Sequence, residues 1–154
     1  MKKQQILEKL ERTWNDFQQS FSGLPDDLLS QPGANGDWSV KDLMAHVAWW
    51  EEETLKHLPD VAQGKRLPRY ADLYGGLDAF NRLMWEKWRR ASLAEVRQYM
   101  LDTHRRLLEY IQAAPDELLQ TDTRFRHRLR LDTYSHYPEH TRMVLAWRER
   151  AGLD

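Results

Sequence analysis

Residues Thr133 to His140 read TYSHYPEH, and His136 and His140 stand four apart just ahead of the amphipathic stretch TRMVLAWRER. On a helix this spacing sets two rings about 40° apart in direction and one turn apart in height, so both can reach a single ion. Neutral imidazole is a common metal ligand and also the usual proton carrier near pH 7. The chemistry on offer is therefore metal-assisted activation of a nucleophile, or acid–base work by a hydrogen-bonded pair. With six histidines in 154 residues, the spacing recurs by chance often enough to be a weak motif alone. Position adds to it, because His140 falls in the inward register of the last helix, where an unpaired imidazole is costly.

His46, in DLMAHVAWWEEE, is the best third partner. It lies about 40° from Trp50, at the edge of the inner stripe of a long helix. His104 is the reserve, since it also falls near an inner stripe. His57 sits at a helix end and His127 in an extended segment. From the residues alone two arrangements fit: core histidines satisfied by hydrogen bonds, or ligands of one ion. Glu53 is seven residues from His46 and offers a base or a supporting acceptor, although Glu51, Glu52 and Glu53 together read more simply as a solvated face. Tyr137 brings a hydroxyl close by, in a register that equally suits a core tyrosine.

The elements that must position these groups follow from apolar period. Leu7, Leu10, Trp14, Phe17, Phe21 and Leu24 alternate spacings of three and four, which predicts a first helix over 5–24. Gly23, Pro25, Pro32, Gly33 and Gly36 then turn the chain. Ser39 or Asp37 can cap the second helix, whose inner side is Val40, Leu43, Met44, Val47, Trp50, Thr54 and Leu58, with an expected stop before Pro59. A long connection follows to Gly76. A shorter helix over 77–91 turns Phe80, Met84, Trp88 and Trp85 inward, and Ser92 with Glu95 starts another that runs toward Pro115. RFRHRLRL alternates arginines with Phe125, His127, Leu129 and Leu131, a period of two that predicts an extended segment lying on the bundle. Its arginine edge is either solvated cover or an entrance for a carboxylate or phosphate. Pro138 lacks the N–H that would reach residue 134, so the last helix is expected to begin near Ser135.

Composition narrows the partners. A formal charge of −1 gives no global attraction to nucleic acid or anionic membranes. Without cysteine there is neither a disulfide framework nor a thiolate site. No signal-like start and no run of ~20 apolar residues points to the cytoplasm. The length suits one domain, 1–154. Seven tryptophans against four phenylalanines imply indoles at a boundary, either a pocket wall or a subunit contact. Trp49, opposite Val40 on the wheel, is expected to be exposed in a monomer and would then mark a homodimer face.

The blocks NGDWSVKDLMAHVAWWE, DAFNRLMWEKW, SLAEVRQYMLDTHRRLLEYI and TYSHYPEHTRMVLAW resemble, in order, those of the DinB/YfiT-like four-helix bundles, in particular the DfsB/ClbS branch. The resemblance implies an all-α bundle with one additional shorter helix and a long connection after the second helix. It also implies a divalent ion, nickel or zinc, held by His46, His136 and His140. Family members include thiol transferases, isomerases and a self-protecting hydrolase, so the expected activity is a hydrolase or thiol transferase acting on an electrophilic small molecule. Trp50 and Trp85 are then candidate pocket walls, Arg126 and Arg128 would steer an acid group, and Glu53 and Tyr137 would assist catalysis. The alternative is a non-catalytic ligand-binding bundle, possibly dimeric.

Overall fold

The apolar seam of the first segment winds it into α1, Lys3–Ser20, which buries Ile6, Leu10 and Phe17 completely. The computed structural model describes residues 2–120 and 123–153. After a short helix α2, Asp26–Leu29, comes α3, Val40–Ala62. Its start is set by a reciprocal cap: the Ser39 hydroxyl accepts from the Asp42 N–H at 3.1 Å, and the Asp42 carboxylate accepts from the Ser39 N–H at 2.9 Å. The rest of the chain forms α4, Tyr70–Tyr74; α5, Leu77–Trp88; α6, Leu93–Ala113; α7, Arg124–Asp132; and α8, Tyr137–Arg150, with a 3-10 turn at Asp116–Leu119.

The four long helices α1, α3, α6 and α8 make the bundle. α3 packs along α6, α1 along α8, and both α5 and α7 lie against α3. The ends are tied by lysines: Lys41 Nζ donates to the carbonyls of Arg89 and Ala91, just past α5, which satisfies groups a helix terminus leaves open. Gly75 (φ 89°) and Gly76 (φ 124°) supply the positive-φ corner between α4 and α5. Among the described residues, no helix is long and apolar enough to cross a membrane.

Three local expectations are corrected. RFRHRLRL is helical in α7, not extended, because Phe125 and Leu129 are four apart and both buried; a period of two contains a period of four, so the two patterns share that pair. Thr123 settles the matter by capping the helix, its hydroxyl accepting from the Arg126 N–H at 3.1 Å. α3 runs through Pro59 rather than stopping before it. In the last turn the proline forfeits one backbone bond, at a cost of up to about 3 kcal/mol. Burial of Leu58 and Val61, at 0% and 8% exposure, contributes about 1.5–3 kcal/mol each and offsets it. The acidic run is not a solvated face either: Glu51 and Glu53 are buried and only Glu52 is substantially open.

The cap fixes the register of α3 and hence of His46, seven residues on. Ser39→Ala should lower the unfolding free energy by about 1 kcal/mol, read as a lower urea midpoint with an unchanged denaturant slope.

Candidate metal centre

Thr133 accepts from the N–H groups of both His136 and Tyr137 at 2.8 Å, forming a turn that delivers His136 to the N-cap of α8 with Pro138 in its first turn. His136 and His140 thereby share one face. His46 meets them from α3. The Nε2 atoms of His46 and His136 are 3.1 Å apart, and those of His136 and His140 are 2.8 Å apart. Ligand atoms of all three lie within 4.8 Å of one another. Nitrogens around a tetrahedral zinc stand roughly 3.3 Å apart, given metal–nitrogen bonds of about 2.0–2.1 Å, so the spacing matches a shared ion.

Proton counting leads to the same fit. His136 Nε2 takes part in both contacts but carries either one proton or one lone pair, so it can serve only one of them well. The Nδ1 atoms of His46 and His140 are buried and have no partner among the described residues, while the Asp132 backbone bonds the His136 ring and opposes part of its burial. Burial pulls His136 down to about 4 and, with help from His136, His140 down to about 3. His46 is held well below its ordinary value by burial first and then by the other two rings. All three are therefore neutral at pH 7, with lone pairs available to a cation. Three imidazoles without a fourth protein ligand leave coordination positions open, as catalytic sites do.

His46 and His140 line a cleft of about 510 Å³. The Asn35–Trp38 bridge, turned at Gly36 (φ 59°), brings Trp38 over it. Trp38 and Trp85 present nearly parallel rings, 7° apart in plane with centroids 6.4 Å apart. Asp37, Asp78, Arg82 and Glu139 are exposed around the same cleft, and Asn81 forms part of its wall. Asn81 Oδ1 accepts from the indoles of Trp49 and Trp50 at 3.0 and 2.9 Å. Trp49 is consequently buried, at 0% exposure, which corrects its expected place on a partner surface.

Of the expected substrate contacts, Trp85 lines the cleft and Trp50 stands behind Asn81. Arg126 and Arg128 do not line it. Arg128 is tied to Asp132 at 2.6 Å and to the Tyr70 hydroxyl at 3.1 Å, and Arg126 is half-buried beside α7's inner face. Glu53 accepts from the Tyr70 hydroxyl at 2.8 Å and stands 3.5 Å from His57. Tyr137 is fully buried and donates to Glu51 at 2.8 Å. Sequence reasoning missed Trp38, Asn81 and Arg82. An isolated asparagine or arginine on an amphipathic helix carries no periodic signal, while Trp38 could have been found as one more boundary indole.

His104, the reserve ligand, belongs to a separate network. Its Nδ1 bonds Glu51 at 2.7 Å, its Nε2 bonds Glu11, and Trp14 stacks on it at 3.7 Å. Both ring nitrogens are occupied. Burial works to lower the His104 pKa, but bonds to Glu51 and Glu11 outweigh it and raise the value; burial likewise raises Glu51 despite His104 and Tyr137.

The chain belongs to the DinB superfamily, whose family model matches residues 9–145. Among solved structures it shares its fold with DfsB, a sibling lethal factor precursor, at a TM-score of 0.82 and 15% identity, covering 100% of this chain and 99% of that one. A Streptococcus pneumoniae protein is similar at a TM-score of 0.80 and 15% identity, covering 97% and 91%. The colibactin self-resistance protein ClbS, solved in complex with a double-stranded DNA, is similar at a TM-score of 0.78 and 14% identity, covering 96% and 95%. No curated protein matches the sequence.

The pKa shifts fix a pH dependence. The three depressed histidines bind fewer protons folded than unfolded, so their stability contribution is complete above the unfolded value of 6.5 and is lost as pH falls toward about 4 and about 3. In ion-free protein the thermal midpoint should drop between pH 7 and pH 5, and less so in His136→Gln/His140→Gln. His104 has the opposite sign: its raised value gives stability that is full below 6.5 and is lost as pH rises through the folded value.

Proposed function

We propose that this chain is a metal-dependent enzyme that modifies a small electrophilic or toxic metabolite, as a hydrolase or thiol transferase of the self-protection type. The observation that supports it most is the contact of three neutral imidazoles through Nε2, two of which, His46 and His140, line an open cleft. His46, His136 and His140 would hold the ion, and nickel or zinc suits an all-imidazole donor set. Bound there, a divalent ion supplies Lewis acidity that acidifies water or a thiol and polarises an oxygen of the electrophile.

The chain's own residues supply binding and orientation. Trp38 and Trp85 offer flat apolar walls to the substrate, with Trp50 backing the wall through Asn81. Arg126 and Arg128 lie away from the cleft, and the arginine that lines it is Arg82, a hydrogen-bond donor among three carboxylates. Tyr137 and Glu53 act from outside it: Tyr137 anchors α8 to Glu51 of α3, and Glu53 fixes Tyr70.

The self-protection reading draws on the ClbS name and on a fold shared with it. The DNA in that complex raises nucleic acid as another class of partner. Here the net charge is −1 and Asp37, Asp78 and Glu139 ring the cleft, which repels a phosphate backbone, so a small molecule is the occupant. Trp49, whose exposure would favour a dimeric, non-catalytic bundle, is buried.

Untagged protein incubated with nickel, zinc or manganese and then freed of excess should retain one ion per chain. His140→Ala should lose it, and the exposed control His127→Ala should keep it. Retention of no ion from any of the three metals overturns the reading. A screen of thiols with strained or acylated electrophiles, comparing wild type with His46→Ala/His136→Ala, then reads turnover.

A further inference from the structure

Asn81 stands between the core and the cleft. Its Oδ1 takes two indole N–H groups at once, from Trp49 at 3.0 Å and Trp50 at 2.9 Å. An indole nitrogen can only donate. Two of them therefore decide which end of the amide is oxygen, since a flipped side chain would set an amino group against two donors. With its oxygen committed to the core, the Nδ2 amino group is what Asn81 offers to the cleft it lines, and it donates to no acceptor among the described residues.

The same stretch of α5 carries more donors. Arg82 lines the cleft, is exposed, and forms no ion pair among the described residues. Trp85 also lines it with its ring, while its Nε1 is buried and has no partner among the described residues. Asn81 and Arg82, neighbours on α5, thus bring unused N–H groups to the space that His46 and His140 line. Donors gathered beside a nucleophile-activating centre suit an oxygen that accepts hydrogen bonds and gains charge during reaction. That oxygen should belong to a neutral group, because Asp37, Asp78 and Glu139 oppose one arginine around the cleft and disfavour an anion.

Resting on the reading of this cleft as an electrophile site, we infer that Asn81 is a substrate-binding residue that donates through Nδ2 to a carbonyl oxygen. The class of compound taken is a neutral acyl or amide-bearing molecule whose flat portion lies against Trp38 and Trp85. Asn81 has two tasks in this assignment, holding the indoles with its oxygen and the ligand with its nitrogen.

Benzamide, with toluene and benzoate as comparators, tests this on the ion-free full-length chain labelled with nitrogen-15. On titration with benzamide the Asn81 Nδ2 resonances should move while the Trp49 and Trp50 indole N–H resonances stay in place. Asn81→Asp keeps an oxygen for both indoles and removes the donor. It should weaken benzamide about tenfold, the scale of one hydrogen bond in a partly dry site, and leave toluene unchanged. Equal benzamide affinity in Asn81→Asp, movement of the indole resonances in place of the amide, tighter binding of benzoate than of benzamide, or no benzamide binding at all would each overturn the inference. Should Asn81→Asp fail to fold, the wild-type resonances decide alone. Because no ion is present, the result is independent of the metal reading: benzamide bound through Asn81 to a chain that retains no ion leaves this inference standing and removes the other, and the converse pair of results does the reverse.

Discussion

The contact among the Nε2 atoms of His46, His136 and His140 is the constraint that the surrounding structure serves. Neutral rings with facing nitrogens and no bonded carboxylate are a poor end point for a protein interior by themselves, and they are also what an all-imidazole ligand set looks like. Holding them requires α3 to be regular at His46 and α8 to begin at Tyr137 and no earlier, so that the N-cap residue and the residue one turn later face the same way. The Ser39 cap meets the first need, and the Thr133 turn with Pro138 meets the second. Sheltered by Trp38 and Trp49, whose rings pack edge-on against His46 at 5.3 and 5.1 Å, the imidazoles stay uncharged at the pH where a cation would be bound.

α3 separates two kinds of buried chemistry along its length. At His46 the groups are neutral and converge on one point. Five residues on, Glu51 enters a network of charge-bearing groups with His104, Glu11 and Tyr137, and beyond it Thr54 bonds Asp132, which also holds Arg128. These networks bind α3 to α1, α6, α7 and α8 through directional bonds, where apolar packing alone would permit sliding. They hold the buried carboxylates Glu51 and Asp132 away from the histidines, where a carboxylate would draw protons onto the rings.

The bundle was legible in the sequence because helices announce themselves by apolar period, and the His46, His136 and His140 set because two of the three shared a helical stride and the third lay at the edge of an inner stripe. What escaped has physical reasons. α7 was misread because apolar residues four apart satisfy either period, and Pro59 because the burial of Leu58 and Val61 that offsets its cost is visible only in the packed bundle. Glu51 and Glu53 looked like solvent-facing residues because a run of three carboxylates gives no hint of the tyrosines and histidine that receive two of them. Trp49 faces away from Val40 on a wheel, yet α5 and the Trp38 loop cover that side, and only the three-dimensional return of the chain reveals it. Asn81 and Arg82 are polar residues of α5 that no apolar period marks, and they complete the cleft wall.

One oxygen on Asn81 joins the cleft wall to two adjacent indoles of the deepest helix. Swinging α5 outward would strand both N–H groups in an apolar setting at the same moment, a penalty that grows in one step and not gradually. Bonds that must break together thus tie the cleft wall to the interior behind it, and in the proposed reading selection among visiting molecules would fall to shape and to hydrogen-bond complementarity.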